Sequence, residues 1–250
     1  MKEINSINNE HIKELAKLNI KKYREQQKLF LIEGYHLVEM AKKYLVEILV
    51  TNEKDIPKWF DESKVCLVND KIIEKLSSTK TPEMIIGVCK YMNESKNYGD
   101  KILLLDNLQD PGNIGTLIRS SLAFDIDTIV LGNKSVDIYN DKLIRSTQGA
   151  IFKINIVSRD LKEVINELKK DKVYVIGTSL KKAIPLNDVG KMNRYAILLG
   201  NEGNGVSDEL LKMTDINVMI PMNKKIDSLN VGVAGGIIMF YLNNNWQKKK

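Results

Sequence analysis

Three stretches gather residues able to do chemistry, and each follows an apolar run. The first is Asp106-Asn107-Leu108-Gln109-Asp110-Pro111-Gly112-Asn113-Ile114-Gly115-Thr116-Leu117-Ile118-Arg119. Asp110-Pro111-Gly112 is strong turn chemistry. Asn113 suits the cap of a following helix, and Gly115 lets another backbone come close. Arg119 shares a helix face with Gly115 and Thr116. Its planar fork can clamp a phosphate, although a plain surface arginine is the simpler account. The second stretch is Gly200-Asn201-Glu202-Gly203-Asn204-Gly205-Val206-Ser207. Its glycines allow left-handed backbone and bare amides turned to a ligand. Ser207 can cap the next helix, but Glu202 between glycines has no obvious packing role. The third runs from Ile220-Pro221-Met222 to Ser228-Leu229-Asn230-Val231. It puts Asp227, Ser228 and Asn230 at a helix entrance, where they either cap the helix or hold a ligand. A fourth stretch, Lys142-Leu143-Ile144-Arg145-Ser146-Thr147-Gln148-Gly149-Ala150, adds a second arginine near the same cleft.

Several chemistries are disfavoured. The glycine order is not G-x-G-x-x-G with a later acid, which counts against a Rossmann-type oxidoreductase, and no Gly-Lys-Ser/Thr follows as in a P-loop. The only histidines are His11 and His36, too few for a histidine triad or a zinc centre. Cys66 and Cys89 lie inside apolar runs and read as buried thiols, so no metal site is expected. A net charge of +6 suits a polyanionic partner, and equally an ordinary solvated surface. The opening Met1-Lys2-Glu3-Ile4-Asn5 is not a signal peptide, and no apolar run reaches the length of a membrane span. The expectation is a cytoplasmic protein with no membrane partner.

The elements that must position these loops differ between the two halves. Residues 8–28 have a helical pattern, with Asn8 or Asn9 as cap and Ile12, Leu15, Ala16 and Leu18 as the apolar stripe. The polar side carries Lys13, Lys17, Lys21, Lys22, Arg24 and Lys28, either a solvated face or a set of phosphate contacts. Strands at 30–33, 46–50, 65–68 and 84–91 alternate with helices at 34–43, 56–63 and 70–76, giving a small α/β layer domain. The polar stretch 93–100 reads as a linker. Twelve of the 15 glycines lie between Gly112 and Gly236. There the strands (102–105, 128–131, 173–176, 196–199, 218–220) are unbroken apolar runs, as in parallel sheets covered on both faces. Helices fit at 113–124, 142–147, 161–170, 207–213 and 231–242. The fold expected is α/β: domains at 1–92 and 101–250, the second an open doubly wound parallel sheet with its ligand at the carboxyl ends of the strands. The helix from Val231 is apolar on nearly every side, so it is expected to be buried against the sheet or another subunit.

The three loops together resemble the TrmH (SpoU) branch of the SPOUT RNA methyltransferases. The likeness rests on Asn113-Ile114-Gly115-Thr116 with Arg119, on Leu198-Leu199-Gly200-Asn201-Glu202-Gly203-Asn204-Gly205, and on Ile220-Pro221-Met222 with Ser228-Leu229-Asn230-Val231, in family order across residues 101–245. Lys21-Lys22-Tyr23-Arg24 before Phe30-Leu31-Ile32-Glu33-Gly34 looks like the opening of the substrate-binding domain that often precedes this catalytic domain. Two positions depart from the family: Asp227 stands where Glu is commoner, and Gly232 where Ser or Ala is usual.

The resemblance implies methyl transfer from S-adenosyl-L-methionine to a ribose 2′-hydroxyl of structured RNA, rRNA favoured over tRNA. It also implies a deep trefoil knot and a homodimer through the C-terminal domain. Thr178, Gly200, Ile220, Met222 and Leu229 would hold the cofactor, the loop residues through their backbone. Arg119 and Asn113 would face the target ribose and phosphate, and Glu202, Ser228 and Asn230 would organise that site. The family assigns an arginine base, which is physically demanding because arginine stays charged. Arg119 is therefore expected to be essential, either as base or as electrostatic activator. Lys21, Lys22, Arg24 and Arg145 would contact RNA. The alternative is a non-catalytic RNA-binding or ribosome-assembly factor on the same fold, which has no need of so complete a set of polar residues.

Overall fold

The structure is a computed structural model that describes residues 1–201, 203–223 and 225–244. The chain divides into two compact units, Met1–Asn93 with Asp137–Phe152, and Glu94–Val136 with the chain from Lys153 onward.

The first unit opens with β1 (Lys2–Ile4), α1 (Glu10–Lys17) and α2 (Lys21–Gln27). It continues through β2 (Leu29–Glu33), α3 (Tyr35–Met40), β3 (Leu45–Val50), β4 (Val65–Val68), α4 (Asp70–Leu76) and β5 (Ile85–Lys90). The sheet order is β1-β4-β3-β5-β2. β1, β4 and β3 run parallel, while β5 is antiparallel to both β3 and β2. Ile12, Leu15 and Leu18 pack with Ile72, Ile73 and Leu76 of α4 onto Leu49, Cys66, Ile86 and Val88 of the sheet.

Three local expectations are corrected. The helix expected over 8–28 is two helices, because the carbonyl of Leu18 accepts from Arg24 Nη1 (2.8 Å) and the chain turns at Leu18–Ile20. Asn9 caps the first, accepting from the His11 amide (2.9 Å). No α-helix forms over 56–63. Asn52 and Asp61 instead take the Lys54 and Ser63 amides (3.1 and 3.0 Å) and nucleate two short 3-10 turns, the usual competition of short polar side chains with helix. β1 was not anticipated, since three residues are too few to display a period.

The second unit contains β6 (Lys101–Asp106), α5 (Pro111–Ala123) and β7 (Thr128–Leu131). The chain then contributes α6 (Asp141–Ser146) to the first unit. The second resumes with β8 (Asn155–Ser158), α7 (Leu161–Lys170), β9 (Tyr174–Thr178), β10 (Ile184–Pro185), β11 (Tyr195–Gly200), α8 (Asp208–Leu211), β12 (Ile216–Met219) and α9 (Val231–Asn244). The strands lie in the order β10-β12-β9-β11-β6-β7-β8, every pair parallel. β8 and β10 add to the five strands expected.

Both faces are covered, which is why the strands carry unbroken apolar runs. Leu161, Val164, Ile165 and Leu168 of α7 pack on Ile102, Leu104, Val130, Val175 and Leu198. α9 lies across the other face against α5. Gly235 is needed there because a Cβ would stand 2.4 Å from Leu117 Cδ2 and 2.8 Å from Leu199 Cδ1. From β6 the chain winds outward to β7 and β8, then returns to β9, β11 and β12 on the other side of β6. The winding direction reverses between β6 and β11, and their carboxyl ends form the crevice where such sheets bind ligands.

Candidate active site

At that crevice β6 and β11 end in register, Asp106 opposite Gly200. α5 begins two residues before the expected Asn113. Asp110 is its N-cap, accepting from the Asn113 amide (2.8 Å), and Pro111 takes the first helical turn, where its missing N–H costs nothing. Asn113 is therefore not the cap, which leaves its side chain available to other partners. Its Oδ1 accepts from Asn230 Nδ2 (2.8 Å), 117 residues away in sequence. Asn230 turns its own Oδ1 to the amides of Gly232 (2.9 Å) and Val233 (3.3 Å) and so caps α9. One side chain thus caps one helix and ties it to the start of another, bringing two partially positive helix ends together.

Thr116 Oγ1 donates back to the Gly112 carbonyl (3.0 Å). A Cβ on buried Gly232 would meet Thr116 Cγ2 at 3.1 Å, so this glycine is a close-approach position between α5 and α9. Arg119 lies just under a turn beyond Thr116, exposed, and its guanidinium forms no ion pair among the described residues.

The glycine-rich loop is fastened to the end of β6. Asn201 Nδ2 donates to the Asn107 carbonyl (3.2 Å), and the Ser207 amide donates to Asp106 Oδ2 (2.9 Å). Asn201 pairs with Gly205 in an isolated bridge, and Gly205 has φ +69°. Gly200 admits no side chain, since a Cβ would fall 2.0 Å from the Gly205 carbonyl carbon. Glu202 lies outside the described residues. Thr178 ends β9 with Oγ1 donating to the Leu198 carbonyl (2.9 Å). Ile220, Met222 and Leu229 are half-buried, whereas Ser228 is exposed. Reading the sequence missed Asp106, Asn107 and Asp110. Asp-Pro ahead of an apolar helical pattern was the available signal for the last. Asn107 carries φ +57° and a buried Oδ1 without a hydrogen-bond donor.

The arginines expected on RNA fare differently. Arg24 is 6% exposed, with Nη1 on the Leu18 carbonyl and Nη2 on Asp137 (2.7 Å). Its place on the RNA-facing surface is corrected: the residue is an internal anchor. Arg145 belongs to the first unit, where it bonds Asp141 (2.9 Å) and Ser78 Oγ (2.8 Å). Lys21 and Lys22 are exposed, Lys21 facing Glu25 at 3.6 Å. Among the described residues no three histidine, cysteine or carboxylate side chains converge as a metal site would require.

Residues 100–240 match the SpoU rRNA Methylase family. The chain belongs to that family. In this SpoU methylase, residues 9–87 also match the MRM3-like substrate binding domain. The 23S rRNA (guanosine(2553)-2′-O)-methyltransferase RlmP of Bacillus subtilis is 39% identical over 246 residues, covering 97% of this chain and 99% of that protein. An AdoMet-bound rRNA methyltransferase from Sinorhizobium meliloti superposes with a TM-score of 0.86 at 26% identity, with 97% of both chains covered. AviRb from Streptomyces viridochromogenes, at 21% identity and a TM-score of 0.86 over 97% of this chain and all of its own, shares the fold.

Proposed function

We propose that this SpoU methylase transfers a methyl group from S-adenosyl-L-methionine to a ribose 2′-hydroxyl of 23S rRNA. The observation that carries the reading is the Asn113–Asn230 bond, which joins the starts of two helices, one of them carrying an exposed Arg119 that forms no ion pair among the described residues. The near full-length likeness to RlmP favours rRNA over tRNA. Residues 1–92 would form the RNA-binding domain and 101–250 the catalytic domain.

The residues at the strand ends suit an adenosyl cofactor. Ile220, Met222 and Leu229 offer half-buried apolar surface. The backbone amides of Met222 and Leu229 make no hydrogen bond among the described residues, and Asn107 Oδ1 is an acceptor lacking a donor. Gly200 lets the Gly205–Val206 backbone close against the end of β11. Thr178 lines the same edge. The cofactor, when bound, supplies an electrophilic methyl group.

The chain's task is to make a weak nucleophile available. Arg119 holds the phosphate beside the target ribose and lowers the hydroxyl's pKa by its fixed charge. It acts as a cation, because a guanidinium does not shed its proton in a protein. Asn113 and Asn230, each fixed by the other, orient the sugar. Ser228, and Glu202 by the family resemblance, would help to organise that site.

We place the chain in the family's trefoil-knotted, homodimeric form and in the cytoplasm. No helix among the described residues is long and apolar enough to cross a membrane. α9 was expected to be buried against the sheet or another subunit, and the face the sheet leaves exposed carries Val233, Ile237 and Phe240 at i, i+4 and i+7, with Leu122 of α5 exposed as well. An apolar stripe of this kind suits a second copy of the chain.

The test is to map 2′-O-methylated riboses of 23S rRNA in cells with and without the gene, and to titrate the pure protein with S-adenosyl-L-methionine by calorimetry. Loss of one methyl mark and micromolar binding are expected. An unchanged methylation map, or no binding at high micromolar cofactor, would overturn the reading. Arg119→Lys should lose most activity at neutral pH, and full retention would remove Arg119 from the mechanism.

A further inference from the structure

The corner between α1 and α2 presents a tyrosine between two ammonium groups. Lys17 Nζ lies 5.7 Å and Lys22 Nζ 5.9 Å from the centroid of the Tyr23 ring. The ring is half-buried, and its hydroxyl has no partner among the described residues. Ile20, at the turn itself, is 56% exposed. Lys13 stands one turn before Lys17 on α1, and neither Lys13 nor Lys22 has a carboxylate partner among the described residues. Lys17 already bonds the Glu14 carboxylate, so Lys22 is the cation beside the ring that an incoming anion would pair.

The corner is held rigidly. Arg24, next in sequence to Tyr23, points inward and bonds the Leu18 carbonyl and Asp137. Buried in this way, it fixes both the turn and the helix that displays Tyr23 and Lys22. The contrast is Trp59, whose Nε1 donates to Glu39 (2.6 Å) while Lys42 over its ring bonds the same carboxylate. That aromatic and its cation are already satisfied within the fold, whereas among the described residues the Tyr23 hydroxyl has no partner and Lys22 no carboxylate.

We propose that Tyr23 is a stacking platform for an unpaired base of the RNA substrate, with Lys22 on the adjoining phosphate. In an A-form duplex the base faces are covered by their neighbours, so the open part of the ring finds a stacking partner only in a loop, bulge or strand end. The substrate class is therefore an RNA presenting a splayed base, not an uninterrupted duplex. The inference rests on the RNA methyltransferase reading and deepens it.

The test uses the full chain and two labelled RNAs, a hairpin with an unpaired loop and a blunt duplex of the same stem, read by fluorescence anisotropy. Wild type should prefer the hairpin. Tyr23→Ala and Tyr23→Leu should weaken hairpin binding about 5- to 150-fold, the range expected for loss of one base–aromatic stack. Duplex binding should hold, and Tyr23→Phe should retain hairpin affinity. Lys22→Ala should weaken both RNAs and flatten the salt dependence by about one phosphate contact. Tyr23→Ala or Tyr23→Leu binding the hairpin as wild type does would overturn the proposal, as would equal loss with Tyr23→Phe. Calorimetric binding of S-adenosyl-L-methionine should be unchanged in every variant, so failure of the platform is separable from failure of the methyltransferase reading.

Discussion

At the residue scale the asparagine pair carries the most structural consequence. Asn230 caps α9 and bonds Asn113, whereas Asn113 has only the second of these two roles toward α9. Asn113→Ala should therefore cost at least one hydrogen bond's net worth, about 0.5–1.5 kcal/mol. Asn230→Ala should cost about 1 kcal/mol more, for the lost cap. Chemical denaturation of both single variants and the double variant measures this. Equal losses would mean that the cap contributes nothing. The buried thiols make a second prediction. Burial pushes Cys66 up to about 11 and Cys89 higher still, and burial likewise takes Tyr195 up to about 12. The folded chain keeps these protons after the unfolded chain has released its own. Stability is then intact below about pH 8.5, the ordinary thiol value, and declines as pH rises further. Melting temperature should fall from about pH 9 upward, and less steeply in Cys89→Ala.

At the element scale the contact of α5 with α9 decides what the family departure at Gly232 means. The position is tight because Thr116 stands against it. Gly232→Ala should destabilise the chain by about 1–3 kcal/mol through overpacking. Adding Thr116→Ser, which removes the crowding methyl, should recover part of that loss. Thermal unfolding of the two variants is the measurement, and strict additivity would show that the two residues do not meet. The sequence pattern of alternating turn and apolar run made these helices and their neighbouring strands legible. It did not give the helix starts, since Asp110 and Asn113 are both good caps and only the hydrogen bonds distinguish them.

At the scale of the whole molecule the apolar stripe on α9 bears on assembly. Ile237→Asp puts a charge in the middle of that stripe. If the stripe is the dimer contact, light scattering should report the monomer mass for this variant and the dimer mass for wild type. A dimeric Ile237→Asp would move the interface elsewhere. The mean apolarity of residues 231–242 could not distinguish a helix buried within one chain from a helix shared by two.

Much of this protein was fixed by its sequence. Unbroken apolar runs give strands covered on both faces, glycines mark where backbones approach, and three polar loops in family order point to methyl transfer on RNA. The first two signals are local, written in propensity, periodicity and turn chemistry, whereas the third rests on the resemblance to a known family. The tertiary structure decided where polar side chains end up. It turned Arg24 inward to Asp137, put Arg145 with Ser78 and Asp141, and joined Asn113 to Asn230 across 117 residues. An arginine on a helix looks the same in sequence whether it faces solvent or a buried carboxylate. Only the packing of distant elements determines which of them it meets.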